Sequence, residues 1–213
     1  MFELAHMLTW LPAFALVLFR ITGIMLAAPI YSSMVVPARV KIGLAALVSL
    51  VVFPLVHPDV SRVPGSLVGV VAGAAGELMV GLAIGLAVNM LIVGMQLAGS
   101  FIAQQMGLGL ARIFNPTLES ENNIVGQLYV ILGSMLLLAL DGHQLILTGV
   151  LDSFRAVPPM AVSLEPEVLH LLRGLLAGSY VMALKVAAPV LVILILVSMI
   201  MGFLGRTVPQ INI

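Results

Sequence analysis

The 213-residue chain contains no cysteine, which excludes disulfides, thiolate metal sites and cysteine nucleophiles. Charge is almost as scarce. Lys, Arg, Asp and Glu make up 8% of the residues, against roughly 25% in an ordinary soluble domain. Nine basic residues balance nine acidic ones, so no basic field is present to gather nucleic acid and no acidic field to gather cations. The chain has no GxSxG elbow, no GxxxxGK[ST] phosphate loop and no HExxH pair, each of which fixes a nucleophile, a phosphate or a metal by its spacing. His6, His57, His143 and His170 are far apart in sequence. The expectation is therefore a protein with no catalytic residue, no cofactor and no metal, whose work is passage, sealing or assembly.

What the chain has instead is apolar surface, with 62% of its residues hydrophobic. That is too much for one globular core with a wetted exterior. Apolar tracts run from Met7 to Ile30, Ile42 to Val56, Leu67 to Met95, Ile124 to Leu140 and Leu175 to Leu204, and most reach the roughly 20 residues that cross a hydrocarbon core. Each is predicted to be a helix, because an unpaired backbone is too costly in lipid. The short connections "SSMVVPARVK" and "HPDVSRVPGS" carry the breakers that separate these helices. With Glu3 and no Lys or Arg ahead of the first tract, the N-terminus reads as an uncleaved first helix. Basic residues on alternate connections are too evenly shared to fix an orientation.

The third tract carries a row of polar and small residues at Glu77, Gly81, Gly85 and Asn89, continued through Gln96, Ser100 and Gln104. Its "GLAIG" is a GxxxG sequence, which lets another helix approach closely. The row is either a helix-packing face or, at Asn89, Gln96 and Gln104, a face toward a wet lumen or a partner subunit. Arg20, Glu77 and Lys185 interrupt apolar tracts, and such charges need partners or a function; Glu77 has Arg20 and Lys185 as candidate partners. "LDGHQL", residues 140–145, is read as a turn in which Gly142 takes a positive φ angle and Asp141 and His143 cap helix ends. The alternative is a small ion-coupled secondary transporter that uses Glu77, Lys185 and Asp141, with Asp141 and His143 as a proton relay. Pro189 is expected to kink the last helix.

Four segments in order, "APIYSSMVVPARVKIGLA" at 28–45, "GSFIAQQMGLGLARIFNP" at 99–116, "LLLALDGHQLILTGVLDSF" at 136–154 and "APVLVILILVSMIMGFLGRTVPQINI" at 188–213, resemble the FliR/SctT family of export-gate subunits of type III secretion systems. "PARVKIGLA" and "QMGL" followed by "FNP" favour the flagellar branch. The resemblance implies an all-α fold of membrane-type helical hairpins, over 1–213 as one export-gate domain, packed into a helical multi-subunit gate in the bacterial inner membrane at the flagellar basal body. It implies FliP-like and FliQ-like subunits, an FlhB-like subunit, membrane lipid and exported unfolded polypeptides as partners. The resemblance implies a further apolar segment past the position of Ile213, absent from this chain either because the sequence is cut short there or because this member lacks it.

The resemblance also implies that residues 106–116 project into a central channel and plug the closed gate. Composition agrees with that role. Gly107 and Gly109 give backbone freedom, and Met106, Leu108, Leu110, Ile113 and Phe114 form a deformable apolar stopper, with Asn115 and Pro116 closing its tip.

Overall fold

The computed structural model describes residues 2–29, 31, 36–56, 64, 66–108, 123–160 and 166–207. Six helices carry almost all of them: α1 Phe2–Ala27, α2 Ala38–Val56, α3 Leu67–Gln105, α4 Ile124–Ala139, α5 Gly142–Ala156 and α6 Pro166–Thr207. No strand occurs among the described residues. The all-α membrane-type architecture expected from the apolar tracts is the one observed. Four helices, Trp10–Ala27, Ala38–Val56, Leu67–Gln105 and His170–Thr207, are long and apolar enough to cross a membrane, and α4 with α5 adds a fifth if that broken pair counts as one span. α3 and α6 run further than the tracts suggested, because "LAGSFIAQQ" and "PEVLHLLRG" extend the helices through residues that polarity alone would leave outside. α6 continues through Pro189.

Hydroxyl groups within the helices find acceptors one turn back. Thr22 donates to the Leu18 carbonyl, Ser49 to Ala45, Ser179 to Leu175 and Ser198 to Leu194. In an apolar surrounding this removes the penalty of an unpaired hydroxyl without needing a second helix.

The chain forms two compact units, Met1–Met90 with Leu136–Gly174, and Leu91–Met135 with Leu175–Ile213. In the first, α2 packs on α1 and on α5. Val17, Ile21, Ile24, Met25 and Ala28 of α1 and its end meet Ala45 and Val52 of α2 and Ile146, Val150 and Phe154 of α5 in one buried cluster. Trp10 and Phe14 stand edge-on to Phe53, with ring centroids 5.8 and 5.5 Å away. In the second, Ala98 and Ile102 of α3 pack with Ala183 and Ala187 of α6. Gly99 of α3 lies against Gly126 of α4 so closely that a Cβ on Gly99 would stand 2.7 Å from the Gly126 Cα. Asn123 starts α4: its side-chain oxygen accepts the Val125 N–H at 3.1 Å and its carbonyl accepts Gln127 at 2.8 Å.

Candidate functional site

The first unit is built around a buried charge cluster. Arg20 on α1 and Glu77 on α3 are both fully buried, with Arg20 Nε 2.5 Å from Glu77 Oε2. The same guanidinium closes the end of α5. Its Nη1 donates to the carbonyls of Ser153 at 3.0 Å and Val157 at 2.9 Å, where a cation suits both the unpaired carbonyls and the helix dipole. Arg20 also lies over the Phe154 ring, 4.3 Å from its centroid. The second carboxylate oxygen of Glu77 accepts the Met160 N–H at 3.0 Å. This holds Met160 at φ 69°, a left-handed conformation that few non-glycine residues adopt. One arginine and one glutamate thus fasten α1, α3, the end of α5 and the turn after it.

Glycine makes this contact geometrically possible. A Cβ on Gly81, one turn after Glu77, would be driven into the Arg20 carbonyl oxygen and would stand 3.0 Å from the Gly23 Cα. On the facing helix, a Cβ on Gly23 would meet the Leu78 carbonyl at 2.5 Å. Gly85 continues the contact against Ile24 and Ala27, each 2.7 Å from its hypothetical Cβ. The α1 and α3 backbones therefore approach closely enough for a short Glu77 side chain to reach Arg20.

The polar row on α3 does not stay on one side. Glu77, Gly81 and Gly85 are buried, Asn89 is half-buried, and Gln96 and Gln104 are exposed. The cause is the helix period. A four-residue step overshoots a 3.6-residue turn by about 40°, so Gln104 stands about half a turn around the helix from Glu77. The packing part of the row and its amide part are two different faces.

Where α3 ends, "QMGL" forms a complete C-terminal cap. The Gly107 N–H donates to the Gln104 carbonyl at 3.1 Å, the Leu108 N–H to the Ala103 carbonyl at 3.1 Å, and Gly107 has φ 76°. This is the Schellman arrangement, with glycine at the one position that requires a left-handed backbone. Gly107 therefore acts here as a fixed stop. Met106 and Leu108 on either side are about half exposed, at 53% and 50%. Gly109, Leu110, Ile113, Phe114, Asn115 and Pro116 lie outside the described residues. Replacing Gly107 with Ala is expected to destabilise the end of α3 by about 1 kcal/mol, and replacing it with Asn by less, since asparagine tolerates the left-handed region. Hydrogen exchange of the Met106 to Leu108 amides would register the difference.

The turn at "LDGHQL" exists, but its geometry corrects the expectation from sequence. Asp141, not Gly142, takes the positive φ, at 56°. Its carbonyl accepts the Gln144 and Leu145 N–H groups, while its side chain makes no cap hydrogen bond and instead accepts from the Gln144 amide at 3.3 Å. Gly142 is needed for space: a Cβ there would lie 2.6 Å from the Leu137 carbonyl oxygen. Asp141 is exposed, and His143 Nδ1 is buried without a hydrogen-bond partner, so the two do not form a relay. Lys185 is exposed on α6 and Glu77 is already taken by Arg20 and Met160. No cluster of three His, Asp or Glu side chains suited to a metal occurs among the described residues.

Sequence reading flagged Arg20 and Glu77 but missed the Ser153 and Val157 carbonyls, the Met160 N–H, Gly23 and the Gly99–Gly126 contact. "RITG" at 20–23 held a signal for Gly23, a small residue one turn from a buried cation. Backbone partners leave no residue-type signal.

Compared with known proteins, the chain matches the family described as bacterial export proteins, family 1, over residues 11–213. Similar curated proteins include the flagellar biosynthetic protein FliR of Bacillus subtilis (strain 168), 29% identical over 95% of this chain and 78% of that protein. FliR of Pectobacterium carotovorum subsp. carotovorum is 30% identical over 97% of this chain and 78% of its own length. FliR of Escherichia coli (strain K12) is 27% identical over the same two shares.

Proposed function

The chain belongs to the bacterial export proteins, family 1, and from that premise we propose that it lines and seals a gate for unfolded polypeptide. It is a subunit of the flagellar type III export apparatus, a multi-pass protein of the bacterial inner membrane, and it works in a complex with other export components. The observation that carries the reading is the family match along 203 of the 213 residues, from 11 to 213.

Helix length supports a multi-subunit setting. α3 has 39 residues and α6 has 42, about 58 and 63 Å at 1.5 Å per residue. Even tilted by about 40°, each would reach well beyond a hydrocarbon core of about 30 Å. Part of each apolar helix therefore stands outside the lipid tails and needs protein cover. FliP-like and FliQ-like subunits, with an FlhB-like subunit, are the partners that would provide it, and the exposed amides Gln96 and Gln104 would face them or the channel.

Within that assembly, residues 106–116 act as the stopper. The cap at Gly107 ends α3 sharply, and the exposed Met106 and Leu108 are available to repack against changing neighbours. A chain lacking 106–116, expressed with the other export components, is expected to assemble normally and to raise the ion leak of the membrane. Unchanged conductance in the assembled deletion complex would remove the stopper assignment. The protein has no proposed catalytic role.

A further inference from the structure

We propose that Gly99 and Gly126 join α3 and α4 into one rigid pair, a joint that stays closed while the gate opens and sets the spacing of the two helix ends that flank the stopper. The inference rests on the stopper reading above and names the residues that position it.

In the second unit the main chain of α4 lies directly on α3. A Cβ on Gly99 would stand 2.7 Å from both the Gly126 Cα and the Val125 carbonyl oxygen, and 2.9 Å from the Gly126 nitrogen. All three are backbone atoms, which cannot turn aside as the end of a side chain does. The buried residues of α4 are Gly126 and Gly133, and Gly133 carries the contact two turns on, against Met95 and Ile92. Beside it, Val125 and Tyr129 pack on the cluster that Ala98 and Ile102 form with Ala183 and Ala187 of α6.

The contact has a single register. The α3 positions one turn from Gly99 are Met95 and Gln96 on one side and Ile102 and Ala103 on the other, and each carries a Cβ where Gly99 has none. Gly94 is turned to α6 instead, with the Ser179 carbonyl oxygen 3.1 Å from its hypothetical Cβ. A slip of α4 by one turn in either direction would drive its backbone into a side chain. Packed helices move between discrete arrangements and do not deform continuously, and here no neighbouring arrangement is open without first parting the two helices. Close to this joint α3 stops at the Gly107 cap and α4 starts at the Asn123 cap. The two ends therefore move together, and parting them is not the opening step.

The test uses the full chain expressed with the other flagellar export components and carrying Ser100→Cys with Gly126→Cys. A Cβ at position 126 would lie 3.3 Å from the Ser100 Oγ, which suits a disulfide, whose Cβ atoms stand about 3.5–4.5 Å apart. The chain has no cysteine of its own, so the bond formed within it is unambiguous. Oxidation is expected to bond the pair in the assembled complex without loss of polypeptide export, relative to the cysteine-free complex under the same oxidant. Export lost on oxidation and regained with dithiothreitol would overturn the rigid joint, and so would failure of the pair to bond. Gly99→Ala, which forces main chain apart, is expected to raise the ion leak per assembled closed complex. Gly126→Ala, whose Cβ meets the movable Ser100 hydroxyl, should leave the leak unchanged. Equal leaks in these two variants, in a complex that leaks when 106–116 is deleted, would overturn the positioning role. A deletion that does not leak would remove the stopper reading, and the disulfide result would still decide the joint.

Discussion

Arg20→Met is expected to lose most of the folded chain from the membrane. The substitution leaves the Glu77 carboxylate fully buried with the Met160 N–H as its only remaining partner among the described residues. It also strips the Ser153 and Val157 carbonyls of the donor that closes α5. Breaking a buried pair by removing one member is unfavourable by about 3–5 kcal/mol, a large share of the roughly 5–15 kcal/mol that holds an ordinary domain folded. Adding Glu77→Gln should recover much of the loss, since glutamine removes the stranded charge and keeps an acceptor for Met160. The order expected in thermal unfolding of the purified chain in detergent is original, then double variant, then Arg20→Met. A double variant no better than Arg20→Met would mean that the damage comes from the lost α5 closure and not from the uncompensated charge. An Arg20→Met chain melting with the original would dismiss the cluster as a fastening.

This cluster also marks how far residue types could carry the reading. Hydropathy located the helices because burial in lipid forces every backbone group into intrahelical bonds, so long apolar runs have one available structure. Arg20 and Glu77 stood out for the same reason, as charges where charge is unfavourable. Their pairing was one of two options, because 57 residues separate them and only the α1–α3 crossing decides between Arg20 and Lys185. Gly142 was expected to supply the left-handed turn at 140–145, since glycine does so most readily. Asp141 took it because Gly142 is used up by the close contact with Leu137. The α3 row looked continuous on a four-residue count and divided in space because the helix turns every 3.6 residues. At Gly107, composition suggested looseness, while two specific backbone hydrogen bonds make it a stop.

Gly81→Val should be the second most damaging single change, and it separates glycines that are structural from those that are incidental. The obstacle to a side chain at Gly81 is main chain: the Arg20 carbonyl and the Gly23 Cα. Neither can rotate away, so α1 and α3 must move apart, and the Arg20–Glu77 pair between them must stretch. Overpacking alone is unfavourable by about 1–3 kcal/mol, and weakening the buried pair adds to it. Gly81→Ala should show the same effect at smaller size. Gly81→Ala and Gly23→Ala together should be less damaging than the sum of the two, because a single separation of the helices relieves both contacts. Gly43 is the control: nothing lies within 4 Å of its Cβ position, so Gly43→Ala should raise the stability of the isolated chain by up to about 1 kcal/mol through helix propensity. If Gly81→Val and Gly43→Ala shift the unfolding midpoint alike in detergent, the close crossing of α1 and α3 at Gly23 and Gly81 is wrong, and with it the route by which Glu77 reaches Arg20.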